Sequence, residues 1–163
     1  MTEAASFGEE DIRALNLLLL VEYTQAAFYK EAVGRGALKG KLLAYAKQVA
    51  AQENEHLRFL KRLLKGEARR KPSYAFGEAT REPGAFVAAA ADVEDLAVGA
   101  YNGQGSNVST DVLAGAATIV SVEARHAAWI RSIVGKLPAA EATDRALSSD
   151  EVLDGLSRLG VRR

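Results

Sequence analysis

The sequence predicts an all-α fold: four long helices bundled with one long crossover between the second and third, followed by a short C-terminal helix. Three observations predict it. Alanine and leucine are abundant while prolines number 3, a bias toward helix. Apolar residues recur at i, i+3, i+4, i+7 over four long stretches. The linkers joining those stretches alternate short, long, short. At 163 residues the chain suits one domain, taken as residues 1–163.

The first helix is expected over about 9–33, opening after Gly8 with acidic residues in its first turn and ending at Gly34. The second runs over about 37–65 and stops at Gly66. The third covers about 84–101, opened by Pro83 and closed by Asn102-Gly103. The fourth covers about 110–134, with Ser109 or Thr110 as N-cap and Gly135 and Pro138 at its end. A last helix over about 149–158 is capped by Ser148 or Ser149. Short links make helices one and two, and helices three and four, antiparallel neighbours. The link 67–83 is too long for a hairpin. Extended, it reaches about 55 Å at ~3.3 Å per residue. The second helix is about 43 Å long at ~1.5 Å per residue. The link therefore spans the bundle and sets helices two and three parallel, the single-crossover arrangement of four-helix bundles.

The 21 basic and 21 acidic residues cancel, so no global field draws the chain to nucleic acid or an anionic membrane. The basic runs 65–71 and 161–163 read as solvated ends. The absence of cysteine excludes disulfides, zinc–thiolate sites and iron–sulfur clusters. The N-terminal stretch is acidic and polar, unlike a secretion signal, and the apolar run 17–21 is too short to cross a membrane. A cytoplasmic location is the expectation.

Each long helix carries one glutamate near the middle of its apolar stripe: Glu22, Glu53, Glu94 and Glu123. The two histidines, His56 and His126, each follow a stripe glutamate by three residues. An unpaired buried charge is costly, so these six residues need a common explanation. Glu55 lies at the border of the polar face, where Arg58 can pair with it. Asp92 and Asp95 also lie off the stripe centre. The two halves repeat: Tyr29 follows Glu22, and Tyr101 follows Glu94, by seven residues. Folded face to face, the halves bring four carboxylates and two imidazoles together. Two divalent metals would supply the charge that such a cluster lacks. Oxygen plus imidazole suits iron or manganese, and zinc also accepts such ligands. A lone Glu-x-x-His is a weak signal; two copies at matching depth, each with a partner glutamate, are strong.

This pattern resembles the ferritin-like di-iron carboxylate superfamily: Glu22, then Glu53 with His56, then Glu94, then Glu123 with His126. The stretches LNLLLLVEYTQAAFY and LSSDEVLDGLSRLG look most like the ferritin-like domain family that includes desiccation-related proteins. The resemblance implies a ferritin-like bundle with two metal ions, iron foremost and manganese next. Glu53 and Glu123 would bridge them, Glu22 and Glu94 would be terminal ligands, and each histidine would bind one metal. It also implies reaction with dioxygen or peroxide, an external electron donor and, in the absence of turnover, a metal-binding or stress-related role. A homo-oligomer is compatible with it; neither nucleic acid nor membrane is expected as a partner. Tyr29 and Tyr101 are read first as an aromatic packing layer and second as hydrogen-bond donors to a ligand or site carboxylate. Trp129 is read as core rather than electron relay. The missing cysteine weighs against rubrerythrins, and Met1 as sole methionine against haem-binding bacterioferritins; manganese catalase stays open.

Overall fold

A computed structural model describes residues 7–162. It contains helices α1 (Glu9–Arg35), α2 (Gly40–Leu64), α3 (Pro83–Gln104), α4 (Thr110–Ile133) and α5 (Ser149–Arg158). Strands β1 (Ser73–Tyr74) and β2 (Val161–Arg162) pair antiparallel, Ser73 opposite Arg162 and Tyr74 opposite Val161. Side-chain contacts fix the helix directions. Tyr29 reaches Glu94 while Tyr101 reaches Glu22, so α1 and α3 run antiparallel. Phe59 lies against Gly115 and Tyr45 against Trp129, so α2 and α4 are antiparallel as well. With both hairpins antiparallel, α2 and α3 are parallel, as the crossover requires.

Several ends differ from the sequence expectation. Helix α1 continues past Gly34 to Arg35, and Gly36 takes the left-handed conformation that closes it (φ 74°). Helix α2 ends at Leu64 and tightens into a short 3₁₀ turn over Lys65–Glu67. Helix α3 does not stop at Asn102-Gly103 but extends to Gln104. Ser109 is the N-cap residue of α4, yet its side chain makes no cap bond; its amide donates instead to buried Asp11 Oδ1 on α1, at 2.7 Å. For α5 the capping box is complete: Ser148 Oγ accepts from the Glu151 amide, and the Ser148 amide donates to Glu151 Oε2.

The crossover is anchored at its start by buried Asn16. Its side-chain amide donates to the Glu67 carbonyl, and its oxygen accepts from the Arg69 amide. Downstream, β1 pairs with the C-terminal residues, so Val161 of the basic run 161–163 is buried rather than solvated.

Residues 138–148 and α5 cover one side of α3. Leu147 donates its amide to the Gly99 carbonyl at 2.9 Å. Any Cβ on Gly103 would lie 1.8 Å from the Leu147 carbonyl oxygen, so the glycine is required by this close approach. Gly103→Ala is expected to cost ~2 kcal/mol of stability through forced separation, with faster proteolysis in the 138–147 segment. Urea unfolding and limited proteolysis check it; unchanged values for both would refute the crossing.

The apolar core divides in two. One part gathers Leu15, Leu18, Leu19, Leu57, Leu60 and Ile119; the other gathers Phe28, Tyr45, Val49, Phe86, Val93 and Ile130. Phe28 and Phe86 stack there at 5.4 Å between centroids. Between the two parts lies a polar layer from all four long helices.

Candidate metal centre

That layer consists of the six stripe residues. Glu22, Glu53, Glu94 and Glu123 are 0% exposed, His126 2% and His56 8%. Their ligand atoms form two groups, within each of which all lie within 4.8 Å of one another: Glu22, Glu53, His56 and Glu123 in one, and Glu53, Glu94, Glu123 and His126 in the other. Glu53 and Glu123 belong to both. Every metal-ligand candidate read from the sequence is therefore in one place. Glu55 is apart from them, exposed and paired with Arg58, and Asp95 pairs with Arg131 at the surface.

Both histidines turn Nδ1 inward. His56 Nδ1 lies 2.9 Å from Glu123 and 3.3 Å from both Glu22 and Glu53. His126 Nδ1 lies 3.2 Å from Glu53 and 3.4 Å from Glu94. On its outer side, His126 Nε2 donates to Gln52 Oε1 at 2.7 Å. An imidazole anchored this way presents, once it has given up its second proton, a lone pair at the other nitrogen, the usual support for a metal-binding histidine. Gln25 donates to Glu123 at 2.6 Å and to Glu94 at 3.1 Å.

Tyr101 donates to Glu22 Oε1 at 2.5 Å, and Tyr29 donates to Glu94 Oε1. Each tyrosine thus holds the glutamate of the other helix pair. The packing-layer reading is corrected for both: Tyr29 does sit edge-on to Phe28, but its hydroxyl points into the polar layer, not to a helix end. The reading of Trp129 as core is also corrected. It is 38% exposed and rests edge-on against buried Tyr45. Position 129 is six residues beyond Glu123, about 120° from it around the helix at 3.6 residues per turn, which turns it to the margin of the stripe rather than its centre.

The protonation balance shows the strain of so many acids. Burial first, then repulsion from Glu53 and Glu123, pushes the Glu22 carboxyl well above the usual range. Burial and Glu123 raise Glu53. Burial pushes Glu94 up to about 7. For Glu123 burial opposes ionisation, but hydrogen bonds from His126 and His56 outweigh it and hold the group at about 2. Burial also opposes charge on the imidazoles. Bonds to Glu123, Glu22 and Glu53 outweigh it at His56, and bonds to Glu123, Glu53 and Glu94 at His126, taking both up to about 12.

Even so, Glu22 Oε2, Glu53 Oε1, Glu123 Oε1 and His126 Nδ1 are buried, and their close contacts within the layer lack the direction of a well-formed hydrogen bond. Orphaned polar atoms that converge from three helices are what a bound cation would satisfy. The residues fit a pair of divalent ions held by oxygen and nitrogen.

Gln25, Gln52 and Tyr45 were not singled out as site residues by sequence reasoning. Gln25 left a signal, as the one other polar member of the Glu22 stripe; Gln52, beside Glu53 on the helix margin, left none.

Comparison with known families agrees with the geometry. Residues 10–136 match the family described as ferritin-like domain, a span that includes all four long helices and all six residues of the polar layer. None of the curated proteins compared with the chain matches it. A family match over most of the chain, on a bundle with this crossover, has one meaning: the chain belongs to the ferritin-like domain family.

Proposed function

We propose that the chain is a di-metal carboxylate protein that reacts with dioxygen or peroxide and takes electrons from an external donor. The observation that carries this reading is the pair of interlocking ligand groups sharing Glu53 and Glu123. In it, Glu53 and Glu123 would contribute to both ions, Glu22 and His56 would complete one site, and Glu94 and His126 would complete the other. A bound pair of iron or manganese ions would supply redox cycling between divalent and oxidised states.

The protein's own residues do the rest. Tyr101 and Tyr29 fix the outer carboxylates of Glu22 and Glu94 by donating to one oxygen of each; the other oxygen faces the layer, that of Glu94 accepting from Gln25. Gln52 sets the ring of His126. The two apolar layers exclude water and leave the carboxylates without solvent to stabilise their charge. The large groove between α3, α4 and α5 is lined by Asp92, Asp95, Arg131 and Arg158 and by none of the six. A buried centre of this kind suits a substrate as small as dioxygen or hydrogen peroxide.

The same closure favours a second reading, a metal-holding protein without turnover, with a stress-related role. Anaerobic loading with iron(II) or manganese(II) and removal of excess should leave two ions per chain; fewer than about one would sink both readings. Stopped-flow mixing of the loaded protein with hydrogen peroxide then separates them. Catalysis gives repeated turnover, whereas holding alone gives at most one slow oxidation.

A further inference from the structure

A row of aromatic side chains joins the buried centre to the surface. Tyr29 commits its hydroxyl proton to Glu94. In its 3.0 Å contact with Tyr45 the Tyr29 oxygen is therefore the acceptor, and Tyr45, which also has the His126 carbonyl at 3.4 Å, donates across this shorter contact. The Tyr45 ring meets Trp129 edge-on, with centroids 5.1 Å apart; the Tyr29 and Tyr45 rings are 5.8 Å apart. Tyr29 and Tyr45 are fully buried, while the Trp129 ring reaches solvent.

The internal repeat offers a comparison. Aligning Glu53 with Glu123 sets Tyr45 opposite Gly115, each eight residues before its glutamate, and Trp129 opposite Phe59, each six after. At that equivalent slot Phe59 of α2 lies directly over Gly115 of α4, a ring carbon 2.9 Å from where a Cβ would be. Phenylalanine on glycine fills the slot without an oxidisable group. The first slot is filled instead by two oxidisable rings, one of them hydrogen-bonded through Tyr29 to the centre. Packing alone does not demand that choice.

We propose that Tyr29, Tyr45 and Trp129 conduct single electrons between the surface and the buried centre, with Trp129 as the point where an external one-electron donor is oxidised. This rests on the reading of the centre as a redox-active metal pair reacting with dioxygen or peroxide. The steps balance. Tyr29 gives one electron to the oxidised centre and its hydroxyl proton to Glu94. Tyr45 then gives Tyr29 an electron together with the proton that it already donates. Trp129 gives Tyr45 an electron, and the protons shift back along the same hydrogen bonds, from Glu94 to Tyr29 and from Tyr29 to Tyr45. The donor returns one electron to Trp129. The net result is one electron inward and no change in the row. Each transfer crosses one ring-to-ring contact, in place of a single long jump through the helix wall.

The test uses the full chain with and without metal. A light flash on tris(bipyridine)ruthenium(II) with a cobalt(III) acceptor generates ruthenium(III), which oxidises Trp129, the sole tryptophan. In the wild type the tryptophan radical absorbance should decay as a phenoxyl band grows. In Tyr45→Phe the tryptophan radical should persist and the phenoxyl band should be lost; in Trp129→Phe the phenoxyl yield should fall. Tyr74→Phe, away from the row, should behave as wild type. Each variant keeps its ring volume or alters an exposed site, and circular dichroism checks that it is folded. A wild-type tryptophan radical as long-lived as that of Tyr45→Phe overturns the conduit, even where the protein takes up two metals. Failure of the wild type to take up metal overturns the reading of the centre, and with it the purpose of the row.

Discussion

Glu53→Ala is expected to abolish metal uptake at both positions of the centre, while Glu55→Ala leaves uptake at the wild-type level. The two residues are two positions apart on the same helix, about 200° around it, and so face opposite sides. Glu53 is 0% exposed and contributes an oxygen to both ligand groups, so its loss removes a ligand from each ion at once. Glu55 is solvated and paired with Arg58. Loss of a mere supporting residue weakens metal sites roughly 10–100-fold, and loss of a shared ligand should exceed that. The metal-free variant should stay helical, because the substitution takes a carboxylate out of a place where burial and Glu123 already disfavour its charge. Metal analysis after anaerobic loading, with circular dichroism on the same samples, reads both. Equal loss in the two variants would mean that the polar layer is not the metal site.

The second large effect is an inversion of pH dependence by metal. In the metal-free protein Glu94 titrates at about 7, against 4.5 for an ordinary carboxyl. The folded state then binds a proton that the unfolded chain has lost, so this contribution is full below 4.5 and disappears as pH rises through 7. Glu22 and Glu53 are raised in the same direction. The histidines act likewise from 6.5 upward toward 12. Glu123 is opposite: held at about 2, it contributes above 4.5 and fails only as pH falls through 2. These groups together place the stability maximum of the metal-free protein in mildly acid solution. Metal ions displace the same protons, so the stabilisation they confer grows with pH. Urea unfolding at about pH 5 and about pH 8 should show the metal-free protein weaker at the higher pH and the loaded protein relatively stronger there. A metal-free protein more stable at the higher pH would contradict this account.

The bundle and the polar layer were legible because both follow from one periodicity. A glutamate every helix, centred on leucine, alanine and valine at helical spacing, cannot face solvent and core at once. The crossover followed from linker lengths alone. What the sequence hid was decided by contacts between distant segments. Asn102-Gly103 looks like a helix stop, but Gly103 is there because the Leu147 backbone crosses it, and the helix runs on. Val161 looks like part of a charged end until Tyr74 pairs with it. The roles of Tyr29 and Tyr101 depend on which helix lies opposite, and the i, i+7 spacing only placed them at the right depth. The pairing of Gln52 with His126 has no local signature at all.

The two-stranded ladder has a kinetic consequence. It joins the crossover to the C-terminal end across 89 positions of sequence. Closing a flexible loop of that length costs about 4 kcal/mol in chain entropy. Two residue pairs cannot offset that by themselves, so the ladder forms only after both helix hairpins have docked and shortened the effective loop. It therefore works as a latch closed last in folding and opened first on unfolding. The segment that dictates the parallel placement of α2 and α3 is thus secured at the end of the process, by a strand from the far side of the helix bundle's sequence.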